Sequence, residues 1–296
     1  MNIYKVIQEV KEGWSNDKKF LIDYNGINCL LRVSDVNSYD KKRSQFNLLK
    51  NLYDDHKINM PIPVLLEKDE YHTYMIFEWV RGEDARKILT NYSKEEQFVF
   101  GQKAGAYLKE IHKIKKTDMV WEEYFNKKID RKIKQYRECG LVLKEEKYIT
   151  DYIDANRYLL KGRPVSLQHG DYHIGNFVID GNDLYVIDFD RMDFGDPWEE
   201  FTKIIWCKNV STRFAYGRIW GYFNGCIPNE FWKLLGLYMA FYIISSVAWA
   251  SKISKKQVDI MLRQTREILK DFKDFSQSIP DWALKEEKLL KSTNKQ

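Results

Sequence analysis

Cysteine is scarce and scattered in this chain. There are four in 296 residues, Cys29, Cys139, Cys207 and Cys226, with no CxxC pair and no zinc-ligand spacing among them. That excludes a disulfide framework and a structural zinc module, and the thiols are expected to be reduced and mostly buried. An apolar leader is also missing, because Met1-Asn2-Ile3-Tyr4-Lys5 has no signal core. No secretory signal is therefore expected, and the chain reads as cytoplasmic. It has no internal repeat and no low-complexity stretch apart from the lysine-rich residues 285–296. The net charge of +5 is small and spread along the chain, so it gives no argument for nucleic acid. One uncharged run of seventeen residues, 234–250, reaches the lower limit for a membrane span. Its Tyr, Ser and Gly content, with no second span elsewhere, predicts a buried central helix and no membrane partner. What remains is ordinary for a globular protein, with 31% charged and 44% hydrophobic residues and length enough for two lobes.

The segment that carries chemistry is His169-Gly170-Asp171-Tyr172-His173-Ile174-Gly175-Asn176, followed by Ile187-Asp188-Phe189-Asp190. It sets an Asn five residues after an Asp, and a second Asp seventeen residues after the first. Between them, residues 177–179 and 184–187 are β-branched and aromatic runs joined by Asp180-Gly181-Asn182-Asp183, which predicts a hairpin. Such a hairpin brings Asn176 beside Asp188. Phosphoryl transfer asks for this kind of set: a carboxylate to position the attacking hydroxyl, and an amide oxygen with a second carboxylate to hold Mg2+ against phosphates. The protein-kinase catalytic loop has the same Asp-to-Asn spacing, with His-Arg-Asp where this chain has His169-Gly170-Asp171.

The segment resembles the aminoglycoside phosphotransferase family, antibiotic kinases that share the protein-kinase-like fold with choline kinases and other small-molecule kinases. Asp188-Phe189-Asp190-Arg191 and Phe194-Gly195-Asp196-Pro197-Trp198-Glu199-Glu200-Phe201 extend the likeness, which covers residues from about 10 to 250. The resemblance implies an α+β, two-lobe fold. Residues 1–79 would be a nucleotide-binding lobe, an antiparallel five-stranded sheet with one helix. Residues 80–296 would be a larger, mainly helical lobe for catalysis and substrate. It implies ATP or GTP with Mg2+ as cofactors, and a small-molecule acceptor, most of all an aminoglycoside-type antibiotic, as partner; the oligomeric state is left open, with a monomer favoured.

Roles follow on that basis. Asp171 is the expected catalytic base, with Asn176 and Asp188 as the Mg2+ ligands. Gly13 and Ser15 fall where the phosphate-covering loop belongs, although Gly13 is the only glycine there. Arg32 takes the place of the strand lysine, permanently charged and able to fork onto phosphate. Gln45 takes the place of the helix glutamate and is expected to reach the guanidinium. Phe77 and Trp79 mark the connector that meets the nucleotide base, and Arg81-Gly82-Glu83-Asp84 opens the second lobe. Glu199 and Glu200 are expected to face the amines of a cationic acceptor, with Glu122 and Glu123 as weaker alternatives. Asp196 caps the helix that holds them, with Pro197 in its first turn. His169, His112 and His173 read as structural, and Asp190 either as an aid to the second metal or the substrate or as a surface acid.

Elsewhere, residues 19–24 and 27–33 flank an Asn-Gly hairpin turn, and helices are expected over 40–54, 121–139 and 145–160. Another helix follows the capping box Ser93-Lys94-Glu95-Glu96. The Lys127, Lys128, Arg131, Lys132, Lys134 and Arg137 face reads as solvated, not as a nucleic-acid patch. Two other functions fit less well. A metal-dependent hydrolase would use His169, Asp171, His173 and Asp188, but lacks a further histidine pair. A nucleotide-binding protein without transferase activity would account for Arg32 and Gln45, but not for the intact Asp171, Asn176 and Asp188.

Overall fold

In the computed structural model, which describes residues 4–11, 17–116 and 118–293, the Asn25-Gly26 turn sets the register of the N-terminal sheet. Both residues have positive φ, 55° and 83°, as a two-residue hairpin turn requires. The Asp23 carboxylate accepts the Gly26 amide at 2.7 Å. From this turn run β2 (Lys18–Tyr24) and β3 (Ile27–Asp35), joined by β1 (Tyr4–Glu9), β4 (Pro63–Lys68) and β5 (His72–Glu78). The five form one antiparallel sheet in the order β1-β2-β3-β5-β4. Alternation sorts the side chains by face. Ile22, Cys29, Leu31 and Ile76 cluster on one face. Arg32 pairs with Met75 and so belongs to the other, where Phe77 meets Phe46 of α1 (Tyr39–His56) with ring centroids 6.1 Å apart.

The chain continues through β6 (Glu83–Asp84), α2 (Ala85–Ile88), α3 (Lys94–Ile111), β7 (Lys115–Lys116), α4 (Trp121–Arg137) and α5 (Glu146–Asn156). Then come β8 (Val165–Gln168), the hairpin β9 (Phe177–Asp180) and β10 (Asp183–Val186), and β11 (Asp193–Gly195). Helices α6 (Ile204–Lys208), α7 (Thr212–Tyr222), α8 (Asn229–Ala250), α9 (Lys255–Asp271) and α10 (Asp281–Thr293) complete it. The capping box is formed at α3, where Ser93 and Glu96 satisfy each other's amides. The helix expected over 145–160 ends early and gives way to a 3-10 turn, Arg157–Leu160. The lysine-rich end is helical through Thr293. Of the four thiols, only Cys29 and Cys207 are buried, while Cys226 is exposed.

Contacts divide the chain into two compact units. One holds the residues up to Leu89 together with Ile174–Met192, and the other holds Thr90–His173 together with the residues from Asp193 onward. This grouping differs from a cut after residue 79, for a local reason. Strand β6 pairs with β9, Glu83 opposite Ile179 and Asp84 opposite Val178. Gly82 (φ 105°) permits the approach, since a Cβ there would stand 2.3 Å from the Ile179 carbonyl oxygen. Residues 81–84 thus join the hairpin to the N-terminal residues.

The second unit is built on a backbone seam between α3 and α7. A Cβ on Gly101 would lie 2.3 Å from the Phe214 carbonyl oxygen, and one on Gly105 2.2 Å from that of Arg218. Gly217 and Gly221 repay the approach from α7, each with a carbonyl oxygen of α3 within 2.4 Å of its would-be Cβ. Helix α8 is long and apolar enough to cross a membrane, but 78% of its most apolar window is buried. Leu235, Tyr238, Phe241 and Ile244 lie along its buried length. In α4 the expected stripe of Trp121, Phe125, Ile129, Ile133 and Tyr136 is buried.

Candidate active site

In the second unit, β8 is buried along its whole length and delivers His169 to the loop that carries Asp171. The loop is held from below by one carboxylate. Glu200 Oε2 accepts the His169 amide at 2.7 Å, and Oε1 accepts the Gly170 amide at 2.8 Å. Burial alone would raise the Glu200 carboxyl, but His112, His169 and Arg218 outweigh it and hold the carboxyl below the ordinary glutamate value. His112 is itself pushed down by burial, and its Nδ1 lies 3.0 Å from the Tyr222 hydroxyl. His169 is fully buried, its Nδ1 accepting the Asp171 amide at 3.3 Å and its ring edge-on to Tyr172.

Tyr172 pins the other side of Asp171. Its hydroxyl donates to the Ala104 carbonyl in α3 at 2.7 Å, and its own carbonyl accepts from Arg218 of α7 at 2.7 Å. Arg218 also donates to the Glu200 carbonyl at 3.2 Å. Asp171 therefore sits between fixed neighbours. Its Oδ1 is 3.6 Å from Lys203 Nζ and its Oδ2 3.7 Å from His173 Nε2, with the side chain 18% exposed. His173 packs near Trp206.

The segment after β11 starts differently from the expected α-helix. Asp196 does accept an amide, from Trp198 at 2.8 Å, but the turn it opens is 3-10, Glu199–Lys203, and becomes α-helical only at Ile204. The Asp196 carboxylate is fully buried and takes two bonds from Arg163, at 2.5 and 2.9 Å, and one from Tyr238 at 2.7 Å. Glu199 and Glu200, read as a pair from the sequence, are placed differently. Glu200 is buried under the loop, and Glu199 is partly exposed, 3.4 Å from Lys128 Nζ and 3.3 Å from Gln168 Nε2.

In the first unit the hairpin ladder runs one step past Val186, because the Ile187 amide donates to the Asn176 carbonyl at 3.0 Å. Asn176 and Asp188 thus come to the same end of the hairpin. Asp188 has φ 64° and ψ 63°, a left-handed conformation that Asp enters more readily than most side chains. It turns the chain into a short 3-10 segment, Phe189–Arg191. One amide oxygen and one carboxylate suit Mg2+, which takes few protein ligands and leaves positions for phosphate and water.

Arg32 is buried and donates to Asp17 and to Asp190. Burial would lower its pKa, but Asp190 and Asp17 together raise it; burial would likewise raise Asp190, and Arg32 brings it down. Lys42 of α1 donates to the same Asp17 oxygen at 2.7 Å. Gln45, expected to meet the guanidinium, donates to the Phe189 carbonyl at 3.0 Å. Asp190 is thus not an isolated surface acid but an acceptor for Arg32. Phe77 is buried, and the Trp79 amide is bound to the Asn28 carbonyl at 2.9 Å. Gly13 and Ser15 lie outside the described residues.

Sequence reasoning did not reach Lys203, Arg218 or Lys42, none of which sits in a motif, and it gave Asp17, at the end of the expected phosphate-covering loop, no role of its own; only folding brings these residues to the loop or to Arg32. Among the described residues, no three His, Cys, Asp or Glu side chains group so as to hold a metal. His169, which the hydrolase reading would need as a ligand, turns its Nδ1 to the Asp171 amide.

A model of the phosphotransferase enzyme family matches residues 6–230. No curated protein matches the sequence. Among solved structures, the GDP complex of wild-type aminoglycoside 2'-phosphotransferase-IIIa is 15% identical, with 89% of this chain and 93% of that one covered and a TM-score of 0.65. The microcompartment-associated aminopropanol kinase is also 15% identical, covering 90% and 92%, with a TM-score of 0.65. ADP-bound aminoglycoside phosphotransferase APH(2'')-Ib is 18% identical over 94% and 93%, with a TM-score of 0.62. At these identities the likeness establishes the fold, which is the protein-kinase-like one expected.

Proposed function

Because the chain belongs to the phosphotransferase enzyme family, we propose that it is a small-molecule kinase. On this reading it moves the γ-phosphoryl group of ATP or GTP to a hydroxyl of a small polar acceptor. The observation that supports the reading is the ladder bond at the open end of the β9–β10 hairpin, from the Ile187 amide to the Asn176 carbonyl, which leaves Asn176 and Asp188 at the same end of the hairpin. Asn176 and Asp188 would hold Mg2+, which neutralises phosphate charge when bound.

Asp171 orients the acceptor hydroxyl and takes its proton. The clamp by Glu200 and the Tyr172 anchor support that role, since positioning is most of what a phosphoryl-transfer site contributes. Arg32 serves the inner phosphates. Glu199, partly exposed, is the better placed of the two glutamates to meet an acceptor amine, and Glu200 serves by fixing the loop. An aminoglycoside-type antibiotic is the first acceptor to test. A small amino alcohol is the second, because the aminopropanol kinase shares the fold.

The test is Mg2+-dependent consumption of ATP and GTP across aminoglycosides, other antibiotics, sugars, choline and amino alcohols. Acceptor-dependent turnover with a phosphorylated product is the expected result. Tight stoichiometric zinc or manganese without nucleotide binding would sink the reading.

A further inference from the structure

Three charges from distant positions meet on one oxygen. Asp17 Oδ2 accepts from Arg32 at 2.6 Å (Nη2) and 3.1 Å (Nε), and from Lys42 Nζ at 2.7 Å. All three side chains are close to buried, Asp17 at 9%, Arg32 at 7% and Lys42 at 13% exposed. Asp190 is a further acceptor for Arg32. Two cations and two carboxylates balance, so this group offers a polyphosphate little net attraction until one carboxylate withdraws. Two cationic donors converging on a single oxygen at charge-assisted hydrogen-bond distances describe an oxyanion site.

We infer that Arg32 and Lys42 together form the nucleotide phosphate cradle, and that the Asp17 carboxylate stands in it for a phosphate oxygen. The inference rests on the kinase reading above. When Mg-nucleotide binds, the carboxylate leaves for water and a phosphate oxygen takes both donors, so one anion replaces another and the cations stay paired. Asp17 is the one that exchanges, since it stands immediately before β2 begins. Asp190 belongs to the 3-10 turn after Asp188, whose first carbonyl, that of Phe189, is held by Gln45. Nucleotide affinity is then reduced by the fraction of molecules in which Asp17 fills the cradle.

Calorimetric titration with Mg-ATP, Mg-GTP, adenosine and guanosine tests this on the wild type, Asp17→Asn, Lys42→Met and the double variant. The expected results are a gain of about tenfold in triphosphate affinity for Asp17→Asn, with nucleoside affinity unmoved. Lys42→Met should lose about tenfold for the triphosphate, a contact loss typical of one charged hydrogen bond. In the double variant the gain from Asp17→Asn should shrink, because both changes act on one oxygen. If the wild type binds a triphosphate and Asp17→Asn binds it no better, or gains equally for the nucleoside, the cradle is overturned and the kinase reading stands. If the wild type binds neither triphosphate with Mg2+, the kinase reading itself fails. Melting curves accompany each variant, and Asp17→Ser replaces Asp17→Asn if the latter does not fold. Unfolding of both would mark Asp17 as a structural partner and overturn the proposal.

Discussion

Replacing Glu200 by Gln decides between two uses of that side chain. Its two oxygens each take one loop amide, at 2.7 and 2.8 Å, in a position 3% exposed. Glutamine keeps one oxygen, now neutral, and turns an NH2 toward the other amide. A hydrogen bond to a charged group contributes about 1.5–3 kcal/mol, and an amide left unsatisfied in the interior costs about 1–3 kcal/mol. Partial relaxation of the loop puts the total near 3 kcal/mol, equivalent to a fall of about 6–12 °C in Tm for a body of 150–250 residues. Differential scanning calorimetry reads this directly, and steady-state kinetics on the same sample should show kcat falling with little change in the acceptor KM. The loss should depend on pH. The native Glu200 carboxyl lies below its ordinary value, so its contribution is complete above about pH 4.3 and is lost as pH falls through the native value. The gap between wild type and variant should therefore close in acid. A Tm unchanged within about one degree, together with a raised acceptor KM, would refute the clamp and return Glu200 to the substrate.

Asp171→Asn should lower kcat by about 10²–10⁴-fold, the usual contribution of a positioned base, while nucleotide affinity holds; retained phosphorylation of the preferred acceptor would defeat the assignment. Asp188→Asn should weaken the Mg2+ form of the nucleotide more than the metal-free form. Asn is the better probe here, because Ala at φ 64° would add backbone strain of about 1–2 kcal/mol. An unaltered Mg2+ titration would count against the metal role. Gly105→Ala gains about 1 kcal/mol of helix propensity, yet must seat a methyl 2.2 Å from the Arg218 carbonyl. The net effect should be a lower Tm by thermal melt, and a rise would contradict the seam.

What the sequence made legible was local. Asn25-Gly26, Ser93 with Glu96, and the 177–187 hairpin each carry their structure in adjacent residues, and each appears within a residue or two of its expected place. The spacing of Asp171, Asn176 and Asp188 was legible for the same reason. Glu200 was not, because an acidic pair at a helix start looks the same whether a carboxylate points out to a ligand or in to two amides. Gln45 lies on α1, but its partner is a carbonyl 144 residues away, which no pattern along the chain encodes. The affiliation of Glu83 and Asp84 likewise depends on a pairing with β9, Glu83 opposite Ile179 and Asp84 opposite Val178, between strands far apart in the chain.

Tyr172 is tied to Ala104 on one side of the glycine seam and to Arg218 on the other. A contact of backbone against backbone has no half-open form, since the helices either keep their approach or part. The turn beside Asp171 should then have no private breathing motion. Functional loops are usually drawn from the least stable part of a fold. Here the amide hydrogens of His169 and Gly170 should exchange with solvent only as slowly as those in the middle of α3, in the same rare event.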